Sequence, residues 1–169
     1  PFIEFNTRSG IVSVEKADGK LRMNFPACPP KRVEAPTALI RGLAIQPLAV
    51  WAADDYMVLL EHEDALRAIC PDHTLLSQLN LRGVIVTAPG NEHDFVSRFF
   101  APKYGIPEDP VTGSAHCTLA PYWAQQLGKT ILKAKQVSRR GGEIECQLAD
   151  GRVLLSGRAV TFLEGNIQI

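Results

Sequence analysis

The stretch Gly113–Leu127 limits the folds open to this chain more than any other feature. Its apolar residues, Ala115, Cys117, Leu119, Ala120, Tyr122, Trp123, Ala124 and Leu127, fall on nearly every side of a helix rather than on one stripe. Such a helix needs protein around most of its circumference. Gly128 follows it as a stop signal. Most of the remaining chain reads as strand. Segments 3–7, 10–15, 21–25, 48–52, 56–61, 83–88, 95–100, 130–137, 143–148, 152–155 and 159–163 are β-branched, alternating or short apolar runs. Turn signals separate many of them: Arg8-Ser9-Gly10, Ala17-Asp18-Gly19, Pro89-Gly90-Asn91, Gly141-Gly142 and Asp150-Gly151. Shorter helices are expected at 37–43, with Thr37 as the cap, at 63–70 and at 73–79. Pro26, Pro29, Pro30 and Pro36 make 26–36 a loop. Strands outnumber helices without strict alternation, so the class is α+β. A curved sheet or barrel around one central helix, Gly113–Leu127, satisfies both observations.

The length of 169 residues suits one domain, 1–169. Lysine plus arginine equals aspartate plus glutamate, 18 against 18, which gives no reason to expect nucleic acid or an anionic membrane as partner. No apolar run is long enough for a membrane span. Cys28, Cys70, Cys117 and Cys146 are scattered without a CxxC pair, and the expectation is buried thiols rather than a disulfide frame. With no secretory signal pattern, a cytoplasmic location is expected. The chain opens on Pro1 and runs straight into the strand-like Phe2-Ile3-Glu4-Phe5, so a fragment of a longer protein is expected as well.

The chemistry concentrates just before the central helix, in Glu108-Asp109-Pro110-Val111-Thr112-Gly113-Ser114-Ala115. Pro110 pushes Asp109 out of the helical region and holds it extended. Thr112, Gly113 and Ser114 then bring unpaired backbone N–H groups to the positive end of a helix, where a carboxylate or phosphate binds readily. Gly113 allows close approach of a ligand, and the Thr112 and Ser114 hydroxyls add donors. Beside that helix end Asp109 favours its ionised form, as an acceptor or a base; a different carboxyl group would have to deliver a proton. Taken alone, the segment reads as a threonine N-cap with an aspartate in a turn, because capping is far commoner than catalysis.

A wider pattern alters that weighting. Arg98-Phe99-Phe100-Ala101-Pro102, Gly105-Ile106 and the segment from Glu108 to Ala115 together resemble the signature of the phenazine-biosynthesis PhzF-like family. Phe5-Asn6-Thr7-Arg8-Ser9-Gly10, Met23-Asn24-Phe25-Pro26 and Leu155-Ser156-Gly157-Arg158-Ala159-Val160-Thr161 with Glu164-Gly165 also fit, so the resemblance spans nearly the whole chain. It implies a diaminopimelate epimerase-like fold: two lobes, each a curved sheet around a helix, with the active site between them. It implies an isomerase that moves a hydrogen on a small carboxylate substrate without any cofactor or metal. Carried over by motif, Asp109 is the catalytic aspartate, and Thr112, Gly113 and Ser114 bind substrate. The family's proton-shuttling glutamate and its assisting histidine belong to an N-terminal lobe that would precede Pro1. On this reading the chain is a C-terminal lobe that needs that lobe or another subunit, and a homodimer is implied.

None of Glu61, Glu63, Glu92 or Glu108 sits in a motif that could replace the missing glutamate. Glu108 points away from Asp109 if the segment is extended. Cys117 lies too far into the helix to act as one of two racemase thiols. His62-Glu63 lacks the second histidine of a zinc-protease helix, since Leu66 stands there. His116 reads as a core histidine, and Trp51, Phe99, Phe100 and Trp123 as packing. Two alternatives to the isomerase remain: a lone lobe that binds a partner or itself, and an epimerase or racemase of the same fold.

Overall fold

The computed structural model describes residues 1–7, 10–17, 19–166 and 168. In chain order the elements are β1 (Phe2–Thr7), β2 (Gly10–Ala17), β3 (Lys20–Pro26), β4 (Lys31–Val33), α1 (Thr37–Leu43), β5 (Ala49–Ala52), β6 (Tyr56–Leu59), α2 (Glu63–Arg67) and α3 (His73–Ser77). There follow β7 (Val84–Pro89), β8 (Phe95–Ala101), a 3-10 turn at Pro102–Tyr104, β9 (Ile106–Asp109), α4 (Gly113–Leu127), β10 (Ile131–Gln136), β11 (Gly142–Ala149) and β12 (Arg152–Gly157). Among the described residues all strands join one sheet, ordered β1-β2-β3-β12-β11-β10-β8-β7-β6-β5-β4, with β9 added on β8. β6–β7 and β8–β10 run parallel and the other pairs antiparallel. The α+β expectation therefore holds: the sheet is mixed and largely antiparallel, and the helices are few.

The order of the strands forces the sheet to curl. β3 and β4 are eight strand positions apart, which in a flat sheet is about 38 Å. Yet only 27–30 connect Pro26 to Lys31, a reach of at most about 18 Å. The sheet must bend until its two flanks approach, and α4 fills the hollow. From α4, Ala115, Cys117, Leu119, Ala120, Tyr122 and Trp123 are buried against Met57 of β6, Ile85 of β7, Phe95 of β8, Leu132 of β10, Cys146 of β11 and Leu155 of β12. Trp123 stacks on Phe95 at 5.7 Å between ring centroids, and its indole N–H donates to Thr87 Oγ1. The opposite face of β5 to β8 is covered by Leu39 and Leu43 of α1, Leu66 of α2 and Leu76 of α3.

The curl does not end in a barrel. β1 and β4 remain edges, because β4 has three residues and follows Pro29 and Pro30, which have no N–H to donate. The loop seals the gap another way. Pro121 has no N–H for the carbonyl of Cys117, and the backbone N–H of Cys28 donates to that carbonyl at 2.9 Å. A proline inside a helix thus frees an acceptor, and the proline-rich loop supplies the donor.

Other expectations need correction. Segment 159–163 pairs with no strand among the described residues, and Val160, Phe162 and Leu163 stand in solvent. An alternating pattern makes a strand only where a neighbour offers a ladder. Thr37 is the first residue of α1; Pro36 occupies the cap position and makes no side-chain cap bond. The expected loop 26–36 contains the short β4. Cys117 and Cys146 are buried, whereas Cys28 is half-buried and Cys70 exposed. The turn signals at Arg8-Ser9 and Asp18 lie outside the described residues, but Asp150 and Gly151, at φ 47° and 75°, make the expected two-residue turn from β11 to β12.

Packing around α4 predicts a sharp contrast along one helix. Leu119 is fully buried and Leu127 is 40% exposed. In urea denaturation Leu119→Ala should cost about 2–5 kcal/mol, and Leu127→Ala no more than about 0.5 kcal/mol.

Candidate functional site

The motif lies where β9 turns into α4. β9 pairs antiparallel with β8, placing Asp109 opposite Phe99 at the strand's end. Arg98 and Glu108, both in the motif, are structural. The guanidinium makes paired bonds to the Glu108 carboxylate at 2.7 and 3.1 Å, donates to the carbonyl of Ile69 at 2.8 Å, and lies over the Phe100 ring. Glu108 thus points away from Asp109, as an extended strand requires.

Thr112 stands at the N-cap position of α4 with extended backbone, φ −111° and ψ 103°, but its side chain makes no capping bond. Its hydroxyl is committed to Asp109 instead, Oγ1 to Oδ2 at 2.5 Å. The expectation of a simple threonine cap is therefore replaced by a direct Thr112–Asp109 pair. The start of α4 gets no cap from Thr112, and the surface there is open. Gly113 is half-buried, Ser114 is exposed, and a methyl group added at Gly113 would meet only Leu155, at 3.7 Å. Ser114 is not bonded to Asp109. Its Oγ accepts a hydrogen bond from Arg82 Nη2 at 3.0 Å, and Arg82 is held by two bonds to Asp55, itself 1% exposed.

Two sets of residues missed in the sequence support this corner. Gln136, at the end of β10, bonds both Asp109 and Thr112. Ser138 Oγ donates to the carbonyl of Pro110 at 2.7 Å and accepts the N–H of Gly141. Val111 rests on Gly142, where an added Cβ would sit 2.5 Å from Val111 Cγ2. A signal for Gln136 existed: Leu132, Ala134 and Gln136 alternate on the buried side of one strand, and a buried amide must find partners. Arg82 and Asp55 carry no local signal, since a loop between α3 and β7 brings one and the β5–β6 turn the other.

Burial sets the chemistry of the helix interior. His116 is fully buried, with Nδ1 2.7 Å from the carbonyl of Thr112, so that nitrogen carries the proton; Nε2 has no hydrogen-bond partner among the described residues. Desolvation lowers its pKa to about 4, and the ring is neutral at pH 7. Burial pushes the Cys117 thiol up to about 12 and raises that of Cys146, so neither supplies a thiolate near neutrality. His62 caps α2 through Nδ1, which accepts the N–H of Ala65. Glu63 is buried, tied to Arg67 and to the N–H of Asn91. The concavity lined by Glu63, Arg67, Asn91, Glu92, His93 and Lys135 shares no residue with the motif. No helix among the described residues is long and apolar enough to cross a membrane.

The family model for phenazine biosynthesis-like proteins matches residues 2–165. A protein of Pseudomonas aeruginosa named an uncharacterized isomerase is 49% identical over 168 residues, covering 99% of this chain and 64% of its own length. The mouse phenazine biosynthesis-like domain-containing protein 1 is 36% identical over 191 residues, covering 98% of this chain and 65% of the relative. Among solved structures, a PhzF-family protein of Enterococcus faecalis superposes with a TM-score of 0.91 at 38% identity, over 99% of this chain and 65% of that one. The chain thus spans just under two thirds of the length of these relatives.

Because His116 is charged more easily in the unfolded chain than in the fold, stability should be full above about pH 6.5 and fall as pH drops toward 4. The loss attributable to this group is about 3 kcal/mol by pH 4. Denaturation of wild type and His116→Gln at pH 7 and pH 4.5 should show the variant losing less on acidification.

Proposed function

The chain belongs to the phenazine biosynthesis-like protein family, and we propose on that premise that it supplies the substrate-binding half of a cofactor-independent isomerase site. The reaction is a proton shift on a small carboxylate substrate. Asp109 is the acceptor that faces the moving proton; the open start of α4, with the Gly113 N–H and the Ser114 hydroxyl, receives the carboxylate, and Thr112 serves the substrate through Asp109, to which its hydroxyl is bonded. The observation that carries this reading is the Thr112–Asp109 bond, because it takes the threonine away from capping and leaves the helix start to a ligand. Arg82 adds to it. By donating to Ser114 Oγ it occupies a lone pair, so the serine proton is free to point at a ligand oxygen.

The resemblance gives the proton-shuttling glutamate to another lobe, and we assign proton return to such a lobe in a diaminopimelate epimerase-like, two-lobed arrangement, with this chain as the C-terminal lobe. Two features of the fold support a covering partner. Phe2, Ile3 and Phe5 of β1 are 63%, 55% and 48% exposed, and Val160, Phe162 and Leu163 more so. The same apolar surface favours a second reading, a non-catalytic lobe that self-associates through β1 and β2. An epimerase or racemase of the thiol type fits less well, because Cys117 and Cys146 are buried and protonated.

The test uses the protein as its gene encodes it, incubated in deuterium oxide with a panel of small unsaturated and hydroxylated carboxylates. Deuterium should enter one of them, and Asp109→Asn should slow that entry by about 10²–10⁴-fold with the fold intact. Ser114→Ala should raise KM about 10-fold with a smaller effect on kcat. Exchange that survives Asp109→Asn at full rate would sink the isomerase reading. Concentration-dependent self-association abolished by Phe5→Ser, without any exchange, would favour the second one.

A further inference from the structure

Gln136 is fully buried beneath the motif, although it lies well outside it in sequence. Its Oε1 accepts the backbone N–H of Thr112 at 2.8 Å. Its Nε2 donates to the carbonyl of Asp109 at 2.6 Å and to Thr112 Oγ1 at 3.1 Å. The way round of this amide follows from its backbone partners alone. A peptide N–H can only donate and a peptide carbonyl can only accept, so turning the amide over would create two repulsive contacts. With Nε2 on one side of Thr112 Oγ1, the hydroxyl spends a lone pair there and its own proton must go elsewhere. It goes to Asp109 Oδ2.

We propose that Gln136 is a positioning residue whose locked amide turns the Thr112 hydroxyl into a donor and thereby keeps Asp109 an acceptor, with Oδ2 filled and Oδ1 left for the substrate. The polarity runs one way through three groups: amide N–H to hydroxyl, hydroxyl to carboxylate. Asp109 Oδ1 takes no hydrogen bond among the described residues, so one oxygen remains for chemistry while the other is anchored. A threonine without this neighbour could turn its proton away and cap α4, closing the helix start and releasing the carboxylate. The proposal rests on the reading of Asp109 as the group that faces the substrate.

Three variants test it in the protein as encoded by its gene: Gln136→Leu, Thr112→Val and the double variant. Thr112→Val keeps the shape and the backbone N–H and loses only the hydroxyl. Amide hydrogen exchange followed by NMR reports the first link. Gln136→Leu should speed exchange at Thr112 about 10-fold or more while Leu119, deep in α4, keeps its protection. With the carboxylate found by the deuterium screen, each single variant should lower kcat about 30-fold with KM within about 3-fold. The double variant should be no slower than the worse single, since both break one chain of bonds. Multiplying losses, a change in KM alone, or unaltered Thr112 exchange would overturn the positioning role. Should Gln136→Leu not fold, Thr112→Val decides: unchanged kcat removes the hydroxyl from the chain and the proposal with it. If Asp109→Asn leaves turnover intact, the functional reading itself is lost and carries this role down. If Asp109→Asn is crippling while Gln136→Leu is neutral, only the positioning role falls.

Discussion

The structure depends on a helix that has to be surrounded. α4 has few polar positions before its last turn, and the cost of leaving Leu119, Tyr122 or Trp123 in water is on the order of 2 kcal/mol each. A flat sheet covers one side of such a helix. A sheet bent by its own right-handed twist covers more, and the short connection from β3 to β4 holds the bend. The same connection delivers the Cys28 N–H to the carbonyl that Pro121 leaves open. Hydrophobic burial supplies the drive, and backbone hydrogen bonding sets where the loop lies.

The candidate site is a by-product of that enclosure. A helix in the middle of a curled sheet must begin at its rim, so the N–H groups at its start emerge between β9 and β10. β9 delivers Asp109 with its backbone extended, and β10 delivers Gln136 from below. Side chains from three separate stretches then hold the turn and the start of the helix: Gln136 and Ser138 bond the turn, and Arg82, fixed by Asp55, bonds Ser114. The charged pair nearest in sequence, Arg98 with Glu108, ties β8 and β9 to the carbonyls of Leu66 in α2 and Ile69 just beyond it, and takes no part in the opening. Position in the motif and role in the site are separate matters.

Much of the fold was legible in the sequence because the signals were local. The length of α4, its Gly128 stop, and the β11–β12 turn at Asp150-Gly151 came from rules a few residues long. Segment 159–163 had the same kind of local pattern and no partner, which is where local rules fail. Asp109, Thr112, Gly113 and Ser114 could be singled out because the helix start and the proline are contiguous, and the wider family resemblance raised them above a cap and a turn. The committed Thr112 hydroxyl was not, since its partner is decided by rotamers and by Gln136, remote in sequence. Arg82 on Ser114 was invisible for the same reason.

The bond from Cys28 to Cys117 bears on how the chain acquires its shape. An acceptor deep in the helix and a donor in an early loop meet only once the intervening strands are in place. Closing so long a stretch of chain carries an entropy cost that local turns do not, and it is repaid only by contacts made late. The hairpin β2–β3 and the turns of α4 are built from contacts local in sequence; the seal between the loop and the helix is not. A nascent chain released before that moment would expose the flank of α4, where the same unpaired carbonyl and apolar rim are open to any other polypeptide.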